Sequence, residues 1–178
     1  MKNVSSKRII IFAVVLWLLV IALMGFIFSM SAQPAVKSDR TSGGVIEELL
    51  KLLYPGFDGL SDAERTELID SYQFFVRKAA HFSLYALLGA LSFSALVVSV
   101  NPKGTKGLFL ISDIAASIGL LYSVSDEIHQ RFVPGRSGEV RDVIIDFAGV
   151  VIGVSVLMLI VLLVQKIKVK KNDKTALR

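Results

Sequence analysis

Four stretches of this chain are long enough to cross a lipid bilayer and carry at most one charge each: residues 9–30, 79–100, 108–124 and 143–164. A bilayer core is about 30 Å thick and a helix rises about 1.5 Å per residue, so about 20 apolar residues span it. The first, second and fourth stretches have 22 residues each, and the third has 17. Continuing the third as a helix through 125–130 brings a polar group to its end. Backbone polar groups in hydrocarbon must find partners inside their own segment, which a single apolar run achieves as a helix. The expected fold class is therefore all-α, a polytopic membrane protein with four transmembrane helices and an amphipathic helical outer segment. The first run exceeds the about 7–15 residues of a signal-peptide core and reads as a span.

Charge placement sets the expected orientation. The N-terminus, the connection between the second and third runs, and the tail together carry 11 basic residues against one acid, Asp173. Segments 31–78 and 125–142 carry nine basic and twelve acidic residues. Lys and Arg favour the cytoplasmic side, so both termini are expected inside and the two mixed segments outside. The expected layout is a short cytoplasmic start over 1–8, a membrane domain over 9–165 and an unstructured basic tail over 166–178. The net charge of +5 lies beside the apolar runs, which argues for topology and against a nucleic-acid partner. The chain has no cysteine, so disulfides, thiolate nucleophiles and Cys-ligated zinc are excluded.

The segment before the second run has helical character of its own. Val45, Ile46, Leu49, Leu50, Leu52 and Leu53 recur at helical spacing, with Glu47, Glu48 and Lys51 opposite. Pro55-Gly56 ends that stretch, and Ser61-Asp62-Ala63-Glu64 reads as a capping box opening the next helix. Such helices lie on the outer membrane surface or form a lid over the bundle. Tyr54, Phe57, Tyr72, Phe74 and Phe75 read as interfacial anchors. Asp113, near the inner end of the third run, reads as a cap or a partner of Lys106.

Polar residues in or beside spans are costly and need a reason. Most of them here sit at the same ends of their runs: Ser29, Ser31 and Gln33; Arg77, Lys78, His81 and Tyr85; Asp126, Glu127, His129 and Gln130; and Arg141, Asp142 and Asp146. Arg77, His81, Tyr85 and Gly89 are four apart and form one helical stripe; Asp142, Asp146, Gly149 and Gly153 form another. Gly149-x-x-x-Gly153 lets a second helix approach and turns Asp146 inward. Val133-Pro134-Gly135-Arg136 has proline and glycine where a type II turn needs them, aiming Arg136 back over the same mouth.

Three chemical readings stand side by side. In the first, Glu127, His129, His81 and Asp126 do acid–base work. Arg77, Arg136, Arg141, Tyr85, Gln130, Asp142 and Asp146 then form the surround that binds an anion or lipid. In the second, His81 and His129 ligate a metal with the carboxylates. Neither a HExxH pair nor a dense carboxylate motif is present, so no metal and no cofactor is expected. In the third, the charges neutralise one another and lock the rim of the bundle. A nucleotide loop and a Gly-x-Ser-x-Gly elbow are both lacking, which argues against ATP-driven transport and α/β-hydrolase chemistry.

Three motifs resemble those of the VanZ-like membrane protein family. They are Phe28-Ser29-x-Ser31-x-Gln33, then Arg77-Lys78-x-x-His81-Phe82-x-x-Tyr85-x-x-Leu88-Gly89, then Asp126-Glu127-x-His129-Gln130-x-Phe132-x-Pro134-Gly135-Arg136-x-Gly138 with Asp142-Val143-x-x-Asp146-x-x-Gly149. With their spans they cover residues 9 to about 165. The sequence departs from the resemblance at Asp146, where much of that family has asparagine. The resemblance implies a small multi-pass protein of the bacterial plasma membrane, acting in the cell envelope. The family's namesake lowers susceptibility to the glycopeptide teicoplanin. The expectation is a protein that modulates the response to glycopeptides through a polar outer site holding a membrane lipid or cell-wall lipid precursor. The alternative is a membrane-embedded enzyme acting on such a lipid by acid–base chemistry.

Overall fold

The computed structural model describes residues 2–176. Five helices follow in order: α1 (Lys2–Ser31), α2 (Ala35–Leu53), α3 (Asp62–Val100), α4 (Gly104–Gln130) and α5 (Val140–Ala176), with a short 3-10 turn at Phe57–Gly59. Four of them, α1, α3, α4 and α5, are long and apolar enough to cross a membrane. No strand occurs among the described residues. The four long helices alternate in direction, so α1 begins and α5 ends at the same end of the bundle. The opposite, distal end holds α2, the start of α3 and the connection from α4 to α5.

The bundle is built around α3, which packs most extensively on α5 and also contacts α1, α2 and α4. The core is a thin apolar column that includes Leu16, Val20 and Ile27 of α1, Leu88 and Phe93 of α3, Ile111 of α4, and Val150 of α5. Most other apolar side chains of the spans point outward; Ile9, Ile10, Ile11, Leu18, Ile21, Leu121 and Leu159 are each more than half exposed. A soluble fold does not leave so continuous an apolar surface to water. Hydrocarbon is its natural solvent, because the helices already satisfy their own backbone. Trp17 packs on this column and donates its indole N–H to Ser99 Oγ at 3.2 Å.

Glycines decide how closely α3 and α5 meet. A Cβ at Gly149 would fall on the Phe82 carbonyl, one at Gly153 on the Ala86 carbonyl, and one at Gly89 on the Val150 carbonyl. The two backbones therefore touch along about a turn on each helix, as small residues at four-residue spacing allow in membranes.

Local signals explain the element boundaries. Ser61 accepts from the Glu64 N–H and the Glu64 carboxylate accepts from the Ser61 N–H, closing the capping box that starts α3. The helix then runs unbroken through the second apolar stretch to Val100. There Asn101, at φ 50°, turns the chain in the left-handed region. The third apolar stretch continues as helix to Gln130, carrying Asp126 and Glu127 with it.

Four local expectations change. Helix α2 starts at Ala35, ten residues before the amphipathic run, and continues through Gly43 and Gly44 despite their low helix propensity. Phe57 is buried, with the Arg65 guanidinium 5.5 Å from its ring centroid, and is not an interfacial anchor. Asp113 is exposed and has no ion pair among the described residues. The expected unstructured tail is instead a continuation of α5 to Ala176, since Lys166 to Lys174 includes no helix breaker.

The glycine seam generates a stability prediction. Gly153→Ala should lower the thermal stability of the purified protein by about 1–3 kcal/mol or more, the range for overpacking a tight contact. Gly25→Ala in α1, where nothing lies within 4 Å of the new methyl, should be neutral or stabilising by up to about 1 kcal/mol. Thermal melts in detergent check both.

Candidate functional site

Two adjacent carboxylates close the distal end of α4. Neighbouring residues on a helix point about 100° apart, so both can be buried where the helix end is enclosed on two sides. Asp126 turns toward α1, where its Oδ2 accepts from Ser31 Oγ at 2.7 Å. Glu127 turns toward the α4–α5 connection, where its Oε2 accepts from the Glu139 N–H at 2.9 Å. Gln130 lies four residues after Asp126 and three after Glu127, on the face between them. Its Nε2 donates to Asp126 Oδ2 and Glu127 Oε1, each at 3.2 Å. Its Oε1 accepts from Arg136 Nη1 at 3.4 Å.

Arg136 is carried there by the expected turn. The Arg136 N–H bonds the Val133 carbonyl at 3.1 Å, and Gly135 sits at φ 76°, a conformation open to glycine. The guanidinium also donates to the Gln33 carbonyl at 3.0 Å and the Met30 carbonyl at 3.5 Å. A cation thus satisfies carbonyls at the C-terminal end of α1, where the helix dipole favours positive charge. Burial lowers its pKa from the ordinary arginine value, and neighbouring Arg77 pushes the same way. An arginine keeps its charge at neutral pH even so.

The other side of the site comes from the α3 and α5 stripes. Arg77 pairs with Asp39 of α2 at 2.7 Å, and Lys78 pairs with Asp142 of α5. His81 Nδ1 stands 3.7 Å from Asp146 Oδ1. Tyr85, one turn deeper, is wholly buried, its ring 6.1 Å from that of Tyr122. Asp146 is 1 % exposed because the glycine seam that follows it holds α5 against α3.

These groups surround a cavity of about 450 Å³ walled by α2, α3, the α4–α5 connection and α5, with Asp39, Arg77, Lys78, Gln130, Arg136 and Asp142 in its lining. A narrower recess continues from it to His81 and Asp146. The volume lies within the about 300–1,000 Å³ of ordinary ligand sites. The apolar face of α2 opposite the bundle stays exposed at Val45, Leu49, Leu52 and Leu53, while Ile46 is buried. The segment therefore walls the cavity on one side and leaves an apolar face exposed on the other.

Nine of the eleven candidate residues meet in this way, Arg141 lines the cavity from its exposed rim, and His129 stands apart. His129 stacks on Phe28 of α1, with ring centroids 4.4 Å apart. It shares α4 with Asp126 and Gln130, but its ring leaves their network. Arg141 is on the rim, with a 60 % exposed side chain, pairing with Glu139 at 3.2 Å and lying 5.2 Å from the Phe74 ring centroid. The structure adds Ser31, Asp39, Lys78 and Glu139. Ser31 and Lys78 stood in the motifs, and a small polar residue ending an apolar run is a readable signal for Ser31. Asp39 and Glu139 reach the site through chain folding that no local spacing encodes.

An all-helical, multi-pass membrane protein with a buried polar network at one end of its bundle is the class that fold and site define. A family model described as VanZ/LLP1 matches residues 16–163. The chain belongs to this VanZ-like family. No curated protein and no solved structure matches it.

Gln130 is the hinge of the network. Gln130→Leu leaves Asp126, Glu127 and Arg136 each short of a partner, and an unsatisfied buried polar group costs about 1–3 kcal/mol. The variant should melt well below the parent protein in detergent. Arg141→Ala, on the exposed rim, should stay within about 0.5 kcal/mol of it.

Proposed function

We propose that this protein sits in the bacterial plasma membrane with both termini cytoplasmic. Its distal cavity then opens at the outer surface and holds the anionic headgroup of a membrane lipid or cell-wall lipid precursor. By holding that lipid it modulates the response of the cell envelope to glycopeptides such as teicoplanin. The observation that carries this reading is the cavity itself, with Arg77, Lys78 and Arg136 in its walls. Guanidinium groups offer planar forks of N–H donors matched to phosphate. Arg77 and Lys78 are each paired with one carboxylate, which leaves further donor directions for an oxyanion. The exposed apolar face of α2 favours the headgroup level of the membrane, where such a ligand would be presented.

The membership in the VanZ-like family supports the glycopeptide role, because the namesake has that effect. A catalytic reading draws on one observation, the buried pair Asp126 and Glu127 beside the cavity with His81 in its recess. Lipid mass spectrometry separates the two. A holder co-purifies with an unaltered lipid, whereas an enzyme changes the lipid composition of the membranes that contain it.

Binding and topology are tested as follows. Protein purified in mild detergent should carry an anionic lipid that the double variant Arg77→Gln, Arg136→Gln loses. Equal lipid content in a folded double variant would remove the cavity as the site. A reporter fused after Arg178 or between Asn101 and Gly107 should read as cytoplasmic, and one near Gly59 as external. In a teicoplanin susceptibility assay, Glu127→Gln should accumulate in the membrane at near-normal levels and lose its effect.

A further inference from the structure

We propose that His81, Asp126 and Asp146 form a binding site for one divalent transition-metal cation of the zinc or manganese class, at the base of the distal cavity. One ligand atom from each of the three side chains lies within 4.8 Å of the other two. They come from three helices, α3, α4 and α5, so the grouping is a product of the fold and not of one motif.

The hydrogen-bond inventory supplies an independent argument. Asp126 Oδ2 is occupied by Ser31 and Gln130, but its Oδ1 is buried without a hydrogen-bond partner. Asp146 Oδ1 stands 3.7 Å from His81, beyond hydrogen-bond reach, and its Oδ2 is likewise buried and unpartnered. Both residues are 1 % exposed. Wholly buried Tyr85 is a near neighbour of both carboxylates. Native interiors rarely leave buried polar oxygens unmatched, and two such carboxylates this close repel strongly at low dielectric.

The three permanent cations that line the recess each already have protein partners. Arg77 is on Asp39, Lys78 is on Asp142, and the N–H groups of Arg136 go to Gln33, Met30 and Gln130. Among the described residues, His81 is the basic group within ion-pair distance of Asp146. A divalent cation neutralises both carboxylates and uses the imidazole as its nitrogen ligand. One histidine with two carboxylates is a nitrogen and oxygen set that suits zinc or manganese, while imidazole nitrogen disfavours magnesium and calcium. Three protein ligands leave a position open toward the recess, where an oxyanion or water would complete the shell.

The test is direct. The full-length protein, purified in detergent without chelator, should retain or take up close to one equivalent of zinc or manganese, read by elemental mass spectrometry. His81→Gln, Asp126→Asn and Asp146→Asn should each weaken binding at least about tenfold, and exposed Asp113→Asn should not. Because the aspartate variants can fail to fold, cobalt provides a second readout. Co2+ added to the parent protein should give visible absorption bands that change in His81→Gln, whose side chain is a quarter exposed and tolerates replacement. Folded parent protein that binds none of the three ions at millimolar concentration overturns the proposal. So does binding unchanged in His81→Gln. A metal-free protein with a carboxylic-acid C=O stretch that disappears in Asp146→Asn would place a shared proton there instead.

Discussion

Backbone contact between α3 and α5 decides where the polar groups of this protein can go. Gly89, Gly149 and Gly153 remove the side chains that would hold these helices apart. In a membrane the hydrophobic effect gives little reason for helices to associate, so close packing must supply it. Once the seam is closed, the α5 face that bears Asp146 is turned to α3. The residue that meets it there is His81, on the stripe that ends at Gly89. The burial of an acid in a lipid-solvated bundle is thus a consequence of three glycines.

The distal network follows the same logic. A charged group in hydrocarbon is tolerated when it is buried in protein and partnered. Glu127 and Arg136 meet that condition through hydrogen bonds to side chains and main chain alike. Asp126 meets it on one oxygen. Breaking such pairs by removing one member is expensive, although the pairs themselves add little net stability. The arrangement is therefore better understood as a device for specificity: it ties the end of α1, the end of α4 and the α4–α5 connection into one geometry around the cavity.

Helix α2 completes the enclosure. Asp39 draws Arg77 toward it, and Gln73 Nε2 donates to the Asp39 carbonyl at 2.8 Å. Its opposite face stays apolar and exposed. A helix of this kind is held by polar contacts from below and favours the membrane interface with its other side. It gives the cavity a wall that neither the four spans nor the α4–α5 connection could provide.

Hydropathy and helical spacing alone determine much of this protein. Long apolar runs have one low-energy form in lipid, so the four long apolar helices are legible, as are the Ser61 cap, the Pro134-Gly135 turn and the two stripes on α3 and α5. Spacing also brings Asp126 and Gln130 to one face, because both lie on a single regular helix. What spacing cannot convey is the rotation of each helix against its neighbours. Local sequence puts His129 beside the other polar residues, yet tertiary packing stacks it on Phe28. The same packing recruits Asp39 and Glu139 from segments with no readable link to the site. The meeting of His81, Asp126 and Asp146 belongs to this second kind: three helices contribute one residue each, and only their mutual rotation brings those ligand atoms together.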